Sequence, residues 1–179
     1  LQVWYPGQEG GTAIADVIYG KTSPSGKLPV TFYKSVCQLP EFDNYDMAGH
    51  TYRFFKGEPL FAFGYGLSYT RFEYGEARLG RGKIIIPVTN AGGIDADEIV
   101  QLYVSRPDDA LSPIRTLRGF KRVSIPAGKT VKVTIPLDEE TFTWWDEAAQ
   151  DMVPMTGTYK LEYGSSSRTE DLKSLTYTF

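Results

Sequence analysis

Val131-Lys132-Val133-Thr134-Ile135-Pro136-Leu137 sets apolar residues at every second position. Successive side chains of an extended chain point to opposite faces, so this stretch turns one face inward and the other toward solvent. Tyr159, Leu161 and Tyr163 repeat the pattern against Thr158, Lys160 and Glu162. Working outward, further strands fit residues 83–88, 98–105, 117–125, 142–145 and 174–179, with turns at 90–93, 126–128 and 164–167. Roughly seven short strands at regular spacing, without a Cys…Trp…Cys signature, predict an Ig-like antiparallel β-sandwich of the fibronectin type III kind over residues 70–179.

Upstream of residue 70 the alternation is lost. Leu1-Gln2-Val3-Trp4 is short and apolar and reads as a strand, and Pro6-Gly7-Gln8-Glu9-Gly10-Gly11 reads as a tight turn. Ile14, Val17 and Ile18 then fall at helical spacing over 12–19, with Gly20 placed to stop the helix in a left-handed cap. A strand, turn and helix belong to an α/β layer, but one strand and one helix cannot bury each other's apolar faces. Residues 1–69 are therefore expected to be the end of an α/β sandwich domain plus an extended linker. The linker carries prolines at 24, 29, 40 and 59 and many rings: Phe32, Tyr33, Phe42, Tyr45, Tyr52, Phe54, Phe55, Phe61, Phe63 and Tyr65. Rings of that number predict a segment lying against other structure rather than a solvated tether.

Composition narrows the partners. The 179 residues are 41% hydrophobic and 14% aromatic, ample for a packed core, and the net charge of -3 gives no basic surface for nucleic acid or an anionic membrane. Apolar runs such as 84–86 and 99–104 are far shorter than the roughly 20 residues of a membrane-spanning helix. Cys37 is the only cysteine, so neither an intrachain disulfide nor a thiolate metal cluster can form. The start at Leu1, without methionine or basic leader, reads as a cut.

Several stretches resemble one known family. Trp4-Tyr5-Pro6-Gly7-Gln8-Glu9-Gly10-Gly11, Ala15-Asp16-Val17-Ile18-Tyr19-Gly20 and Pro24-Ser25-Gly26-Lys27-Leu28-Pro29-Val30-Thr31-Phe32 resemble the C-terminal α/β domain of family 3 glycoside hydrolases, the β-glucosidases and β-xylosidases. Tyr52-Arg53-Phe54-Phe55 and Pro59-Leu60-Phe61-Ala62-Phe63-Gly64-Tyr65-Gly66-Leu67-Ser68-Tyr69 are similar to the exit from that domain. Asp97-Glu98-Ile99-Val100-Gln101-Leu102-Tyr103, Leu117-Arg118-Gly119-Phe120-Lys121-Arg122-Val123, Pro126-Ala127-Gly128, Gly157-Thr158-Tyr159 and Gly164-Ser165-Ser166-Ser167 look like its fibronectin type III-like domain.

The resemblance implies a retaining, cofactor-free exo-glycosidase acting on β-linked glucose, xylose or related terminal sugars. Such chemistry needs two carboxyl groups about 5 to 5.5 Å apart, a nucleophile and an acid/base. The family's nucleophile lies on an N-terminal barrel and its acid/base in the second domain, both before the part that matches Leu1. The family's Lys-His substrate-binding pair has no match either, because the single histidine, His50, follows Gly49. The resemblance thus places no catalytic residue in this chain and implies a barrel and further α/β sequence as its partners, with the periplasm or the outside as compartment. The competing expectation is an autonomous β-sandwich module that binds polysaccharide or protein.

Individual residues favour structural roles. Glu9, before the helix, suits capping of free N–H groups and the positive end of the helix dipole. The glycines around it lack the Lys-Ser/Thr ending of a phosphate loop. Trp144-Trp145 could stack on a sugar, but neighbours on a strand face opposite ways, so one is expected inside and at most one outside. The acidic runs 43–46, 95–98 and 108–109 lack the spacing of a calcium loop and read as solvated turns. His50 and Cys37, each alone, read as structural rather than metal-binding or nucleophilic. Tyr45, Tyr52 and Arg53 carry groups suited to sugar hydroxyls, with their role left open.

Overall fold

The computed structural model describes residues 1–179. The alternating stretches become strands of two antiparallel sheets. In chain order these are β1 (Phe72–Tyr74), β2 (Arg78–Gly80), β3 (Lys83–Asn90), β4 (Ala96–Ser105), β5 (Thr116–Ile125), β6 (Thr130–Pro136), β7 (Thr143–Asp146), β8 (Asp151–Pro154), β9 (Thr158–Gly164) and β10 (Leu172–Thr178). One sheet is centred on β3, which pairs with β6 along one edge and with β1 and β2 at opposite ends of the other. Between those two partners stands Pro87, which has no N–H to give to a ladder. The second sheet runs β10-β9-β4-β5, and β7 with β8 forms a separate hairpin.

Alternation decides what fills the space between the sheets. Ile84, Ile86 and Val88 of β3, Val133 and Ile135 of β6, Val100, Leu102 and Val104 of β4, and Tyr159, Leu161 and Tyr163 of β9 are buried in one cluster. Phe142 closes one end, stacked on Tyr177 and Phe179 at centroid distances of 5.1 and 4.6 Å. The seven expected strands are all present within a residue or two of their limits, except that residues 140–142 form a 3-10 turn ahead of β7. β1, β2 and β8 add three the alternation did not predict, each of three or four residues.

The 3-10 turn is held by Asp138, whose Oδ1 accepts the Thr141 amide at 3.0 Å and the Thr141 hydroxyl at 2.9 Å. These bonds favour the carboxylate and hold the Asp138 carboxyl below its ordinary range. Because the folded value is depressed, its contribution to stability is present above the unfolded-state value and is lost as pH falls through the folded one. An NMR titration should give Asp138 a midpoint below that of an unstructured aspartate. Thr141→Val should move it upward; an unmoved midpoint would show that the hydrogen bonds do not govern it.

Upstream, helix α1 (Gly10–Ile18) forms where expected, and Gly20 takes φ +72 as its left-handed stop. Lys21 N–H donates to Asp16 and Gly20 N–H to Val17 across that end. Leu1–Trp4, however, is not a strand. A strand is completed by a neighbour that takes its ladder hydrogen bonds, and no segment of this chain pairs with residues 1–4. α1 buries only Gly10, leaving Ile18 and Tyr19 exposed. No helix is long and apolar enough to cross a membrane.

Candidate functional site

The outer face of the β10-β9-β4-β5 sheet is covered at its two central strands. Gln101 and Tyr103 of β4 and Glu162 of β9 alternate with the core positions and are nonetheless buried: the segment from Tyr52 to Tyr65 lies across Gln101 and Tyr103, and Arg115 and Lys160 pair with Glu162. Tyr52 stacks on Phe63 at 4.2 Å, and both meet Tyr103 edge-on. The Gln101 amide donates to the carbonyls of Gly64 (3.1 Å) and Ser165 (2.6 Å), while its oxygen accepts the Tyr103 hydroxyl. Burial pushes the Tyr103 phenol far up, so it stays a neutral donor. The rings at 52 and 63 thus dock the linker on the sandwich as their number predicts, whereas Phe42 and Tyr45 stand fully exposed.

Beside this seam opens a cleft of about 680 Å³. Thr31–Lys34 and Tyr52–Tyr65 form one wall; Ile114–Arg115 and Ser167–Glu170 form the other. The walls are tied together by backbone bonds, Ser167 N–H to Phe63 (2.9 Å) and Ile114 N–H to Arg53 (2.7 Å). Buried Arg115 adds bonds to the Ser167 carbonyl and the Thr169 hydroxyl and pairs with Glu162 at 3.4 Å. Stacked Phe61 and Tyr65, 5.3 Å apart, supply apolar lining. At the rim Lys34 meets Glu58 at 2.6 Å and Arg168 meets Glu170 at 3.1 Å. The hydrogen bond from Lys34 holds the Glu58 carboxyl below its ordinary range. Thr51, just before Tyr52, is at φ +54, a β-branched residue in the left-handed region. Its N–H donates to the Tyr33 hydroxyl at 3.0 Å, a restraint on a conformation that costs of order 1–3 kcal/mol.

Other flagged residues are scattered. Glu9 stands at the N-cap position, but its side chain caps no amide; it accepts only the Thr12 hydroxyl, at 3.3 Å, so the expected side-chain cap is corrected. Its backbone carbonyl does start the helix by accepting Ala13 N–H. Trp144 is buried under the Arg118 guanidinium, 4.7 Å from its ring, while Trp145 is half-exposed and donates to Glu147. One tryptophan in and one out is what strand geometry requires. Arg118 is the extra residue of a β-bulge in β5, opposite Leu102 and Tyr103, and bulges re-aim side chains in this way.

Residues 43–46 and 108–109 form turns in which Asn44, Asp46 and Asp109 accept backbone amides. The run 95–98 is not a solvated turn throughout. Only Asp95 caps a turn, at Ala127, whereas Ala96–Glu98 begin β4 and Glu98 is buried. Its carboxylate pairs with Lys27 at 2.9 Å and accepts the Tyr74 hydroxyl at 3.0 Å. His50 is half-buried with Nε2 unpartnered, Cys37 is exposed, and no three His, Cys, Asp or Glu side chains gather as a metal site. Tyr52 accepts Leu117 N–H at its hydroxyl and Arg53 packs over Phe54, so neither extends freely into solvent. Arg115 and Ser167–Glu170 carried no motif signal as a group, since the cleft joins segments distant in sequence.

Fold and seam define a fibronectin-type sandwich carrying the tail of another domain across one face. Residues 1–69 match the glycosyl hydrolase family 3 C-terminal domain, and residues 98–167 match a fibronectin type III-like domain. The chain therefore carries a match to the family 3 C-terminal domain followed by a match to a fibronectin type III-like domain. A xylan 1,4-beta-xylosidase of Xylanibacter ruminicola is 48% identical over 99% of this chain and 21% of its own length. A beta-xylosidase of Formosa agariphila is 36% identical over 99% of this chain and 26% of its own length. The family 3 beta-glucosidase of Bifidobacterium adolescentis superposes with a TM-score of 0.84 at 34% identity, covering 98% of this chain and 29% of that one. The chain thus spans between about a fifth and a third of these relatives.

Proposed function

We propose that the chain is the C-terminal part of a retaining exo-β-glycosidase, a β-xylosidase or β-glucosidase, that removes terminal β-linked sugars. Within it, residues 1–69 complete the α/β domain and residues 70–179 brace it, without supplying nucleophile or acid/base. The observation that carries this reading is the 48% identity to a xylosidase over 99% of the chain. The completing role of the first part is supported by its exposed apolar side chains, Tyr5, Ile18, Tyr19, Phe42 and Leu67. Such a surface suits burial against further α/β structure. The periplasm or the outside is the compartment proposed for the enzyme.

The test compares full-length enzyme with the 179-residue chain on aryl β-xyloside and β-glucoside. Full-length protein should turn over with retention at the anomeric carbon, and the chain should not. Turnover by the homogeneous chain that survives Glu9→Gln, or an inverted product, would overturn the reading. A second reading, a self-standing binding module, has one observation in its favour: the strands from β1 to β10 enclose their own core. Fractionation of cells separately tests the compartment.

A further inference from the structure

We infer that the cleft between the linker and the sandwich is a non-catalytic saccharide site that takes a short, neutral, β-linked saccharide. This rests on the reading of the full-length protein as a β-glycosidase only for the linkage; the ligand chemistry comes from the cleft itself. Its volume of about 680 Å³ falls within the roughly 300–1,000 Å³ of small-molecule sites. Phe61 and Tyr65 offer apolar ring surface suited to the C–H faces of a pyranose. Around them stand Lys34, Glu58, Arg168 and Glu170. They present donors and acceptors side by side, as a vicinal diol requires, since each hydroxyl both gives and accepts a hydrogen bond.

Charge selects against the alternatives. Of the four cations lining the cleft, Lys34 is paired with Glu58, Arg115 with Glu162 and Arg168 with Glu170, which leaves Lys56 without an ion-pair partner. A polyanion would find one uncompensated positive charge, whereas a neutral polyol uses every group. The site is also set in advance. Backbone bonds join the two walls, and Arg115 is fixed by Glu162, Ser167 and Thr169, so a ligand would find the walls already ordered, which lowers the cost of binding. Tyr52, Phe55, residues 59–63, Tyr65 and Ser167, from stretches for which the enzymatic reading has no catalytic use, line this cleft.

Isotope-labelled chain of 179 residues should be titrated with xylotriose and with cellotriose, by NMR and calorimetry. Shift changes are expected to cluster on 56–65 and 167–170, with binding at millimolar saccharide or below. Arg168→Ala should weaken binding about tenfold or more, as follows from losing one hydrogen bond to a charged group. Lys56→Ala should weaken it less, and Trp145→Ala, remote from the cleft lining, not at all. Because Arg168 and Lys56 are surface side chains, their variants should keep the wild-type spectrum elsewhere. No shifts with either sugar, shifts centred on Phe120 or Trp145 instead, or tighter binding of a sulfated saccharide would each overturn the site. Hydrolysis by full-length enzyme with no binding by the chain would remove the site alone. Binding by the chain with an inactive full-length protein would remove the enzymatic reading and leave the site.

Discussion

Lys27→Met is expected to destabilise the chain by about 3 to 5 kcal/mol, the range for breaking a buried pair by removing one partner. Lys27 Nζ lies 2.9 Å from Glu98 Oε1, with the two side chains only 11% and 5% exposed. Methionine keeps much of the lysine stem's volume but leaves the Glu98 carboxylate buried with only the Tyr74 hydroxyl to satisfy it. Burial and the neighbouring carboxylate already push the Tyr74 phenol well up, so it serves as a neutral donor and cannot neutralise that charge. Lys27→Met with Glu98→Gln should recover most of the loss, since a neutral amide can still accept from Tyr74 without a buried charge. Urea unfolding of the two single variants and the double variant forms a cycle that isolates the pair. A double variant no more stable than Lys27→Met would refute the buried-charge account. The pair ties the linker to β4, so partial proteolysis of Lys27→Met should cut first within the upstream segment.

The same pair shows where sequence reading stops. The faces of β3 and β6 could be read because each strand has one buried face, and period two then marks it at every second residue; β9 shows the same alternation of apolar residues although Glu162 on its outer face is buried too. Trp144 and Trp145 divided between core and surface for the same reason. β1 and β2 escaped notice because three residues are too few to establish a period. Leu1–Trp4 had strand-like composition, but a strand exists only with a partner. Glu98 looked like the end of an acidic run because the lysine that pairs with it lies in the linker. The cleft was invisible for a stronger version of that reason. Thr31, Tyr52, Arg115 and Ser167 come from four separate segments, and the docking of the linker on the sandwich, through its rings on Tyr103 and the hydrogen bonds of Gln101, Ser167 and Ile114, brings them together. The two matched domains were legible as ordered motifs; the seam between them is a product of folding.

Gly64→Ala should be the most damaging small substitution at that seam, with an expected loss of about 2 to 5 kcal/mol. Gly64 has φ +78, and a Cβ there would fall 2.0 Å from Gln101 Oε1 and 2.8 Å from the Tyr103 hydroxyl. The left-handed backbone alone costs an alanine about 1–2 kcal/mol. Displacing Gln101 adds about 1–3 kcal/mol, because its buried amide holds Gly64, Ser165 and Tyr103 together. Gly128 separates the two contributions. It has φ +69, and a Cβ added there would meet nothing within 4 Å, so Gly128→Ala should lose only the backbone part. Urea unfolding of both variants reads the difference, and equal losses would show that the Gln101 contact is not the cause. Gly64 N–H also donates to Leu28, and the neighbouring Phe63 carbonyl accepts Ser167 N–H, one of the bonds joining the cleft walls. Gly64→Ala should therefore weaken saccharide binding as well as stability, whereas Gly128→Ala should leave binding unchanged. That contrast connects one glycine of the linker to the shape of the site, through a glutamine that belongs to the sandwich.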